Sequence, residues 1–431
     1  MDLLNANDKD GQYPASYYAV TAKRLDPFPA ALGAISCDIC VVGGGYSGLS
    51  SALHLAQAGY DVVLLDAQRV GFGASGRNGG QVGTGQRVGQ DDLERIVGNS
   101  QAHALWDLSL ESVSLVRDLI MTHKIDCGWA DGIIEADHRA KNVSHSHQYS
   151  DKLRNEYNYE LIRPVGCDEM RSLVGSSAYY GGTIDMGSGH IHPLRFALGL
   201  AKAARDAGVK IYERSKVTSV KTDGKVSTDQ AQITAAKVIL CCNGYLGALN
   251  KDVAQRVMPI NNFIVATEPL SGDMAHSLIR NNYAVADSKF VINYFRLSDD
   301  KRMLFGGGES YGYKFPSNIS KIVRKPMLKI YPQLKNTKID YAWGGTLGIT
   351  MNRMPHFMRV SNNVLSISGY SGHGIAMATL AGKLASQAVS GQTEKFDILS
   401  SVPTLRFPGG PGLRTPLLIL AMLWYSMRDR L

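Results

Sequence analysis

The feature that most constrains this chain is a turn. Residues Cys37 to Val42 form a short apolar run, and directly after it come Gly43, Gly45 and Gly48, spaced G-x-G-x-x-G. Leu49, Leu53, Leu55 and Ala56 then recur at helical intervals until Gly59, and Val62 to Leu65 form a second apolar run ending in Asp66, 18 residues beyond Gly48. This order fits a strand, a tight turn, a helix and a second parallel strand. The first glycine permits the turn, the second lets a pyrophosphate approach the backbone, and the third lets helix and strand pack closely. The helix start offers free N–H groups and a positive dipole end to phosphates. Asp66 can take both hydroxyls of an adenosine ribose. A chain with these parts in register is expected to bind a dinucleotide on a parallel sheet.

The segment after Asp66 distinguishes between two dinucleotides. Gly71, Gly73, Ala74, Ser75, Gly76, Arg77, Asn78, Gly79, Gly80 and Gln81 form a second polar, glycine-dense loop, which a nicotinamide domain does not need. It resembles the loop after the second strand in the D-amino-acid oxidase superfamily, where such a loop lines the diphosphate and isoalloxazine of FAD. The resemblance implies an α/β fold: a Rossmann-type FAD-binding domain with a discontinuous α+β substrate domain carrying a mainly antiparallel sheet. It also implies flavin contacts at Gly43, Gly45, Tyr46, Ser47, Gly48, Asp66 and Ala67, and at Ser75, Gly76, Arg77, Asn78, Gly79, Gly80 and Gln81. Val217 and Gly244 stand where adenine and the nucleotide pass over the sheet. A second glycine-rich strand-to-helix turn, Gly372, His373, Gly374 and Ile375, faces the flavin edge on which charge accumulates during reduction.

The remaining chain is expected to divide as an N-terminal arm 1–35, an FAD-binding domain 36–85, 186–255 and 346–400, a substrate domain 86–185 and 256–345, and a C-terminal extension 401–431. Apolar residues at helical spacing run from Asp91 to His123. Strand-like runs at Asn262 to Thr267, Phe290 to Leu297 and Met303 to Gly308 suit the substrate-domain sheet.

Narrower blocks resemble the gamma-glutamylputrescine oxidases of this superfamily: Ser16 to Ala19, Cys37 to Tyr46, Gly71 to Gln81, Gly189 to Leu194, Gly369 to Gly374 and Phe407 to Gly410. They imply oxidation of a primary amine by hydride transfer to flavin N5, giving an aldehyde, ammonia and hydrogen peroxide, with molecular oxygen as acceptor. An amine rather than an amino acid is also suggested by chemistry. Relatives that oxidise amino acids hold the carboxylate with an arginine just after a Trp-x-Gly segment. Here Trp343-Gly344-Gly345 leads into Thr346, Leu347, Gly348 and Ile349, and Arg353 comes ten residues past the tryptophan. Phe290, Tyr294, Trp343 and Tyr370 are candidates for an aromatic pocket that desolvates the amine. His373 and Tyr370 are candidates for groups beside the reacting carbon. His373 reads either as a base or as a ring packed next to the flavin. The alternatives are an oxidase of a secondary or cyclic amino acid of the sarcosine or pipecolate type, an amine dehydrogenase passing electrons to a quinone, and a flavin-binding scaffold.

Composition excludes other classes. With 44% hydrophobic and 19% charged residues over 431 positions the chain is globular, and its net charge of +8 is spread without runs. No nucleic-acid partner is expected. His190 and His192 share a strand face but lack a third ligand nearby, so no metal is expected. Cys37-x-x-Cys40 lies on the first strand and reads as two buried thiols. The N-terminus shows no secretory signal, so a cytoplasmic location is expected. The apolar segment Pro416 to Met427 is too short to span a bilayer. It reads as a docked helix, with a weak membrane contact as the alternative.

Overall fold

A computed structural model describes residues 3–310 and 312–409. The chain forms an α/β fold from two sheets. In the first, the strand order is 356–361, 364–368, 231–240, 33–42, 62–65 and 210–212. All neighbours are parallel except the edge strand His356–Ser361. The central strand Gly33–Val42 is buried on both faces at its end, as a parallel strand must be. Ile39 and Val41 pack among the helices Tyr46–Gln57, Pro193–Asp206 and Gly374–Val389. Cys40 and Val42 point the other way, into a cluster with Val217 and Val226 of the hairpin 217–220/225–228. Cys40 is buried and Cys37 half-buried, both as free thiols, and burial pushes Cys37 up to about 11.

The second sheet runs 339–349, 258–267, 303–310, 294–297, 284–287, 130–136, 182–190 and 81–82, with 162–165 also against 182–190. Every pair is antiparallel except 284–287 beside 130–136. The boundaries expected at 185/186 and 345/346 fall inside the strands Gly182–His190 and Ile339–Ile349. The glycine-rich strand 339–349 runs on without a turn, so no composition break marks its passage toward the first sheet. The strand expected over Phe290 to Leu297 begins only at Tyr294, and Phe290 lies in a loop. The helical stretch from Asp91 is two helices, Gln90–Val97 and Asn99–Thr122, broken where Gly98 takes φ +84°.

The N-terminal arm is integral to the core. Ser16 caps the helix Tyr17–Thr21, and Tyr18 is fully buried edge-on to both His192 and Trp343. The Gly11 N–H donates to Gln68 Oε1 at 2.6 Å and the Tyr13 hydroxyl to the Val70 carbonyl at 2.8 Å. Asp8 pairs with the buried guanidinium of Arg77 at 2.8 Å. The arm therefore braces the segment that leads from Asp66 into the second glycine loop. No helix among the described residues is long and apolar enough to cross a membrane, and Pro416 to Met427 lies outside them.

His190 and His192 have structural duties. The His190 Nε2–H donates to the Asn282 carbonyl at 2.7 Å. His192 is the N-cap of Pro193–Asp206: its Nδ1 accepts from the Arg195 N–H at 3.2 Å, which leaves Nε2–H to face Thr21 Oγ1 at 3.0 Å. Burial holds His190 near 3 and His192 near 2, so both are neutral in the fold. Unfolded, each would titrate near the ordinary 6.5. Below that pH the unfolded chain binds the extra proton, and stability is lost as pH falls. An asparagine can keep the cap without the proton. His192→Asn is expected to lose less stability than the wild type between pH 7 and pH 5, by about 1–2 kcal/mol. Denaturant midpoints at the two pH values measure this, and parallel losses in both proteins would refute it.

Candidate active site

A cavity of about 1210 Å³ is lined from both sheets. Its wall includes Asp66, Ala67 and Val217, the turn Gly43 to Ser47 with Ser75, the turn Gly372 to Ile375, and Phe290 and Tyr294. The turn at Gly43 is built by steric need. Gly43 takes φ +110°, and a Cβ there would stand 2.7 Å from the Cys241 carbonyl oxygen; one at Gly48 would stand 1.8 Å from the Gly43 oxygen. Tyr46 ties this turn to the second loop, its N–H donating to Ser75 Oγ at 3.0 Å and its hydroxyl to the Ser75 carbonyl at 2.6 Å.

Two helices, Tyr46–Gln57 and Gly374–Val389, begin at the cavity, and neither has a side-chain cap. The Tyr46 N–H is taken by Ser75 Oγ, but the next N–H groups of that helix, those opening the second helix and both positive dipole ends are available to an anion. Asp66 is half-buried, with Oδ2 accepting the Gly44 N–H at 2.6 Å and Oδ1 the Gln68 N–H at 2.7 Å; its enclosure by protein raises the carboxyl above the usual range. Tyr370 and His373 line the cavity with a hydroxyl and an Nε2 that are buried and find no hydrogen-bond partner among the described residues. Burial holds His373 near 4 and raises the Tyr370 phenol, so both are uncharged at neutral pH. Uncapped helix ends, a carboxylate beyond them and unpartnered polar atoms in one long cavity fit an elongated diphosphate-bearing flavin.

Several expected contacts lie elsewhere. Gly48, Gly76, Gly80, Gly244 and Trp343 are not part of the cavity wall. Gly76 and Gly80 are instead packing positions, where a Cβ would meet the Gly71 and Ile191 oxygens at 2.3 Å. At Gly244 a Cβ would stand 3.0 Å from the Leu347 oxygen. Trp343 is a core residue, its indole N–H donating to the Arg77 carbonyl at 3.0 Å. Arg77 touches the cavity, but its guanidinium donates to the Phe72 carbonyl at 2.7 Å and the Gly344 carbonyl at 3.2 Å and pairs with Asp8. Asn78, Gly79 and Gln81 do line the cavity, the Gln81 amide donating to the Val285 carbonyl at 2.9 Å.

The second sheet contributes a wall of which the sequence pointed to Tyr294 but not to Glu135 or Ala286. Glu135, Ala286 and Tyr294 are cross-strand neighbours on the cavity side. The Tyr294 ring lies against Gly79 and Gly306, which leave the room it fills, and its hydroxyl donates to Asn262 Oδ1. Ile260, Leu347 and Ile349 form an apolar patch, and Arg87, Lys289 and Arg353 bring positive charge. Glu135 opens on the cavity yet is surrounded by protein. That desolvation, with Asp287, Asp137 and Asp185 near by, pushes it up to about 7 against the pull of Arg87. A signal existed: Glu135 interrupts the apolar run between Ile134 and Ala136.

Residues 38–388 match the family described as DAO, FAD dependent oxidoreductase. The chain belongs to this family. It is an FAD-dependent oxidoreductase. The chain is 40% identical over 423 residues to gamma-glutamylputrescine oxidoreductase of Escherichia coli K12, covering 97% of this chain and 99% of that protein. It is also 40% identical over 418 residues to a probable oxidoreductase, OrdL, of Rhizobium meliloti, covering 96% and 97%. Among solved structures, glycine oxidase from Geobacillus kaustophilus superposes with a TM-score of 0.72 at 20% identity, over 86% of this chain and 99% of that one.

The oxidoreductase would hold its flavin nucleotide through the backbone of Gly43 to Ser47 and through Asp66. Gly43→Ala places a Cβ at a positive φ and against the Cys241 carbonyl, so the purified variant is expected to carry much less flavin. Asp66→Ala should weaken FAD binding by about 1–3 kcal/mol, roughly 5- to 150-fold. Visible flavin absorbance and titration of the apoprotein with FAD test both, and wild-type occupancy in either variant would remove that residue from the nucleotide site.

Proposed function

We propose that this enzyme oxidises the primary amine of gamma-glutamylputrescine, or of a similar polyamine conjugate. With oxygen as acceptor the balance is RCH2NH2 + O2 + H2O giving RCHO, NH3 and H2O2. The observation that carries the reading is the end-to-end similarity to the Escherichia coli protein named for this substrate. The site agrees chemically. Leu347, four residues past Trp343, presents an apolar wall with Ile260 and Ile349. Arg353 reaches the cavity from the turn beyond that strand, its backbone N–H donating to the Thr350 carbonyl at 3.3 Å.

FAD, held by the backbone of the glycine turn and by Asp66, would supply the electron sink for the oxidation. The protein's own contribution is to present a neutral amine. An ammonium has no lone pair to support the developing iminium, and a water-poor wall of Phe290, Tyr294, Ile260, Leu347 and Tyr370 lowers the amine's pKa. His373, held near 4, stays neutral and does not add a second positive charge beside the substrate. Tyr370 keeps its proton. Orientation in this wall does most of the work expected of the chain.

Anaerobic titration of the purified flavoprotein with gamma-glutamylputrescine, putrescine and sarcosine is the direct test. Bleaching by the conjugate at the lowest concentration is expected, and bleaching by sarcosine alone would overturn the reading. Peroxide formed in air, one per turnover, is expected for oxygen as acceptor; its absence with a working quinone would select a dehydrogenase. His373→Asn should reduce kcat by less than ~10-fold, whereas loss of a general base would cost ~10²–10⁴.

A further inference from the structure

We propose that Glu135 and Arg87 form a recognition site for an α-amino acid head group at the end of the substrate remote from the reacting amine, Glu135 taking the α-ammonium and Arg87 the α-carboxylate. The inference rests on the amine-oxidation reading and names the part of the substrate that reading leaves open.

Two carboxylates line the cavity, Asp66 and Glu135. Asp66 sits at the nucleotide end with both oxygens holding backbone N–H groups. Glu135 stands on the far sheet beside Ala286 and Tyr294, and its carboxylate makes no hydrogen bond or ion pair with any described residue. The neighbouring acids are committed elsewhere or face away from the cavity. Asp287 accepts from the Asn293 amide at 2.7 Å, Asp185 accepts from Thr84 Oγ1 at 2.6 Å and from Tyr159, and Asp137 does not line the cavity. Glu135 is therefore the carboxylate of this end that a ligand can reach.

Arg87 lines the same cavity, shortly after Thr84 and Gln86, and it too makes no hydrogen bond or ion pair with any described residue. Its charge acts on Glu135, yet no ion pair closes between them. Opposite charges that face one cavity without neutralising each other match a ligand that carries both. A zwitterionic head group does so, since a guanidinium fork fits a carboxylate and a carboxylate accepts from an ammonium.

The reacting nitrogen is the poorer partner for Glu135. A carboxylate beside it would favour the ammonium, the form that cannot release hydride. A nitrogen that stays charged throughout turnover has no such conflict, and contacts made equally in ground and transition state act on KM rather than on kcat.

The test uses the holoenzyme and the variants Glu135→Gln and Arg87→Met with three ligands: gamma-glutamylputrescine, putrescine, and N-gamma-glutamylbutylamine, which has the head group but no oxidisable primary amine at its far end. In the wild type the butylamide is expected to compete with substrate and to perturb the flavin spectrum. Each variant should weaken its binding by ~10–100-fold, as loss of a charged hydrogen bond predicts. Each should also lower the preference in kcat/KM for gamma-glutamylputrescine over putrescine by a similar factor, through KM. Unchanged butylamide binding in both variants would overturn the site. So would a fall in kcat at constant KM, which would place Glu135 in the chemistry. If no primary amine bleaches the flavin, the amine reading fails on its own, and the butylamide titration still decides the head-group site.

Discussion

A buried cation ties the second glycine loop to the second sheet and to the N-terminal arm beside the cavity. Arg77 is the largest fully buried side chain among the described residues. Its guanidinium reaches the Phe72 carbonyl in its own loop, the Gly344 carbonyl of the second sheet and the carboxylate of Asp8 in the N-terminal arm. The Arg77 carbonyl in turn accepts the Trp343 indole N–H. Burying a charge is costly unless it is paired and hydrogen-bonded, and a pair of this kind specifies geometry more than it adds stability. Here the geometry specified is the position of the second glycine loop against the strand Ile339–Ile349. Tyr46, bonded to Ser75, and Arg296, donating to the Gly79 carbonyl, complete the placement that brings Asn78, Gly79 and Gln81 to the same space as the first turn.

Around that staple the cavity is organised by electrostatics. Two helix starts without side-chain caps open on it, so an anion there can meet the N–H groups that Ser75 leaves free. Asp66 lies on one side of this positive zone. The second sheet adds an apolar wall at Ile260, Leu347 and Tyr294 and the charge of Glu135, and Arg87 lines the same cavity.

Much of this was legible in the chain. The strands Val62–Leu65 and Met303–Ser310 lie where the runs Val62 to Leu65 and Met303 to Gly308 place them. Both glycine turns were readable because their requirement is local: a backbone without side chains, directly after a strand and before a helix. The errors share the opposite property. Trp343 reads as a pocket aromatic and is a core residue, because only the fold brings Tyr18 and Arg77 against it. Phe290 reads as part of a strand that in fact starts at Tyr294, since an aromatic in an apolar run looks the same in a loop lining a cavity.

Periodicity and glycine placement therefore determined by themselves the parallel strands and the glycine turn between strand and helix, since these depend on backbone sterics within about ten residues. Tertiary structure decided which side chains the cavity receives. Arg87, Glu135 and Tyr294 come from three distant parts of the sequence, and only strand pairing and loop packing put them on one wall. The cofactor's cradle is a local property of the chain. The far end of the cavity, where Glu135 and Arg87 lie without an ion pair between them, exists only once both sheets have closed over it.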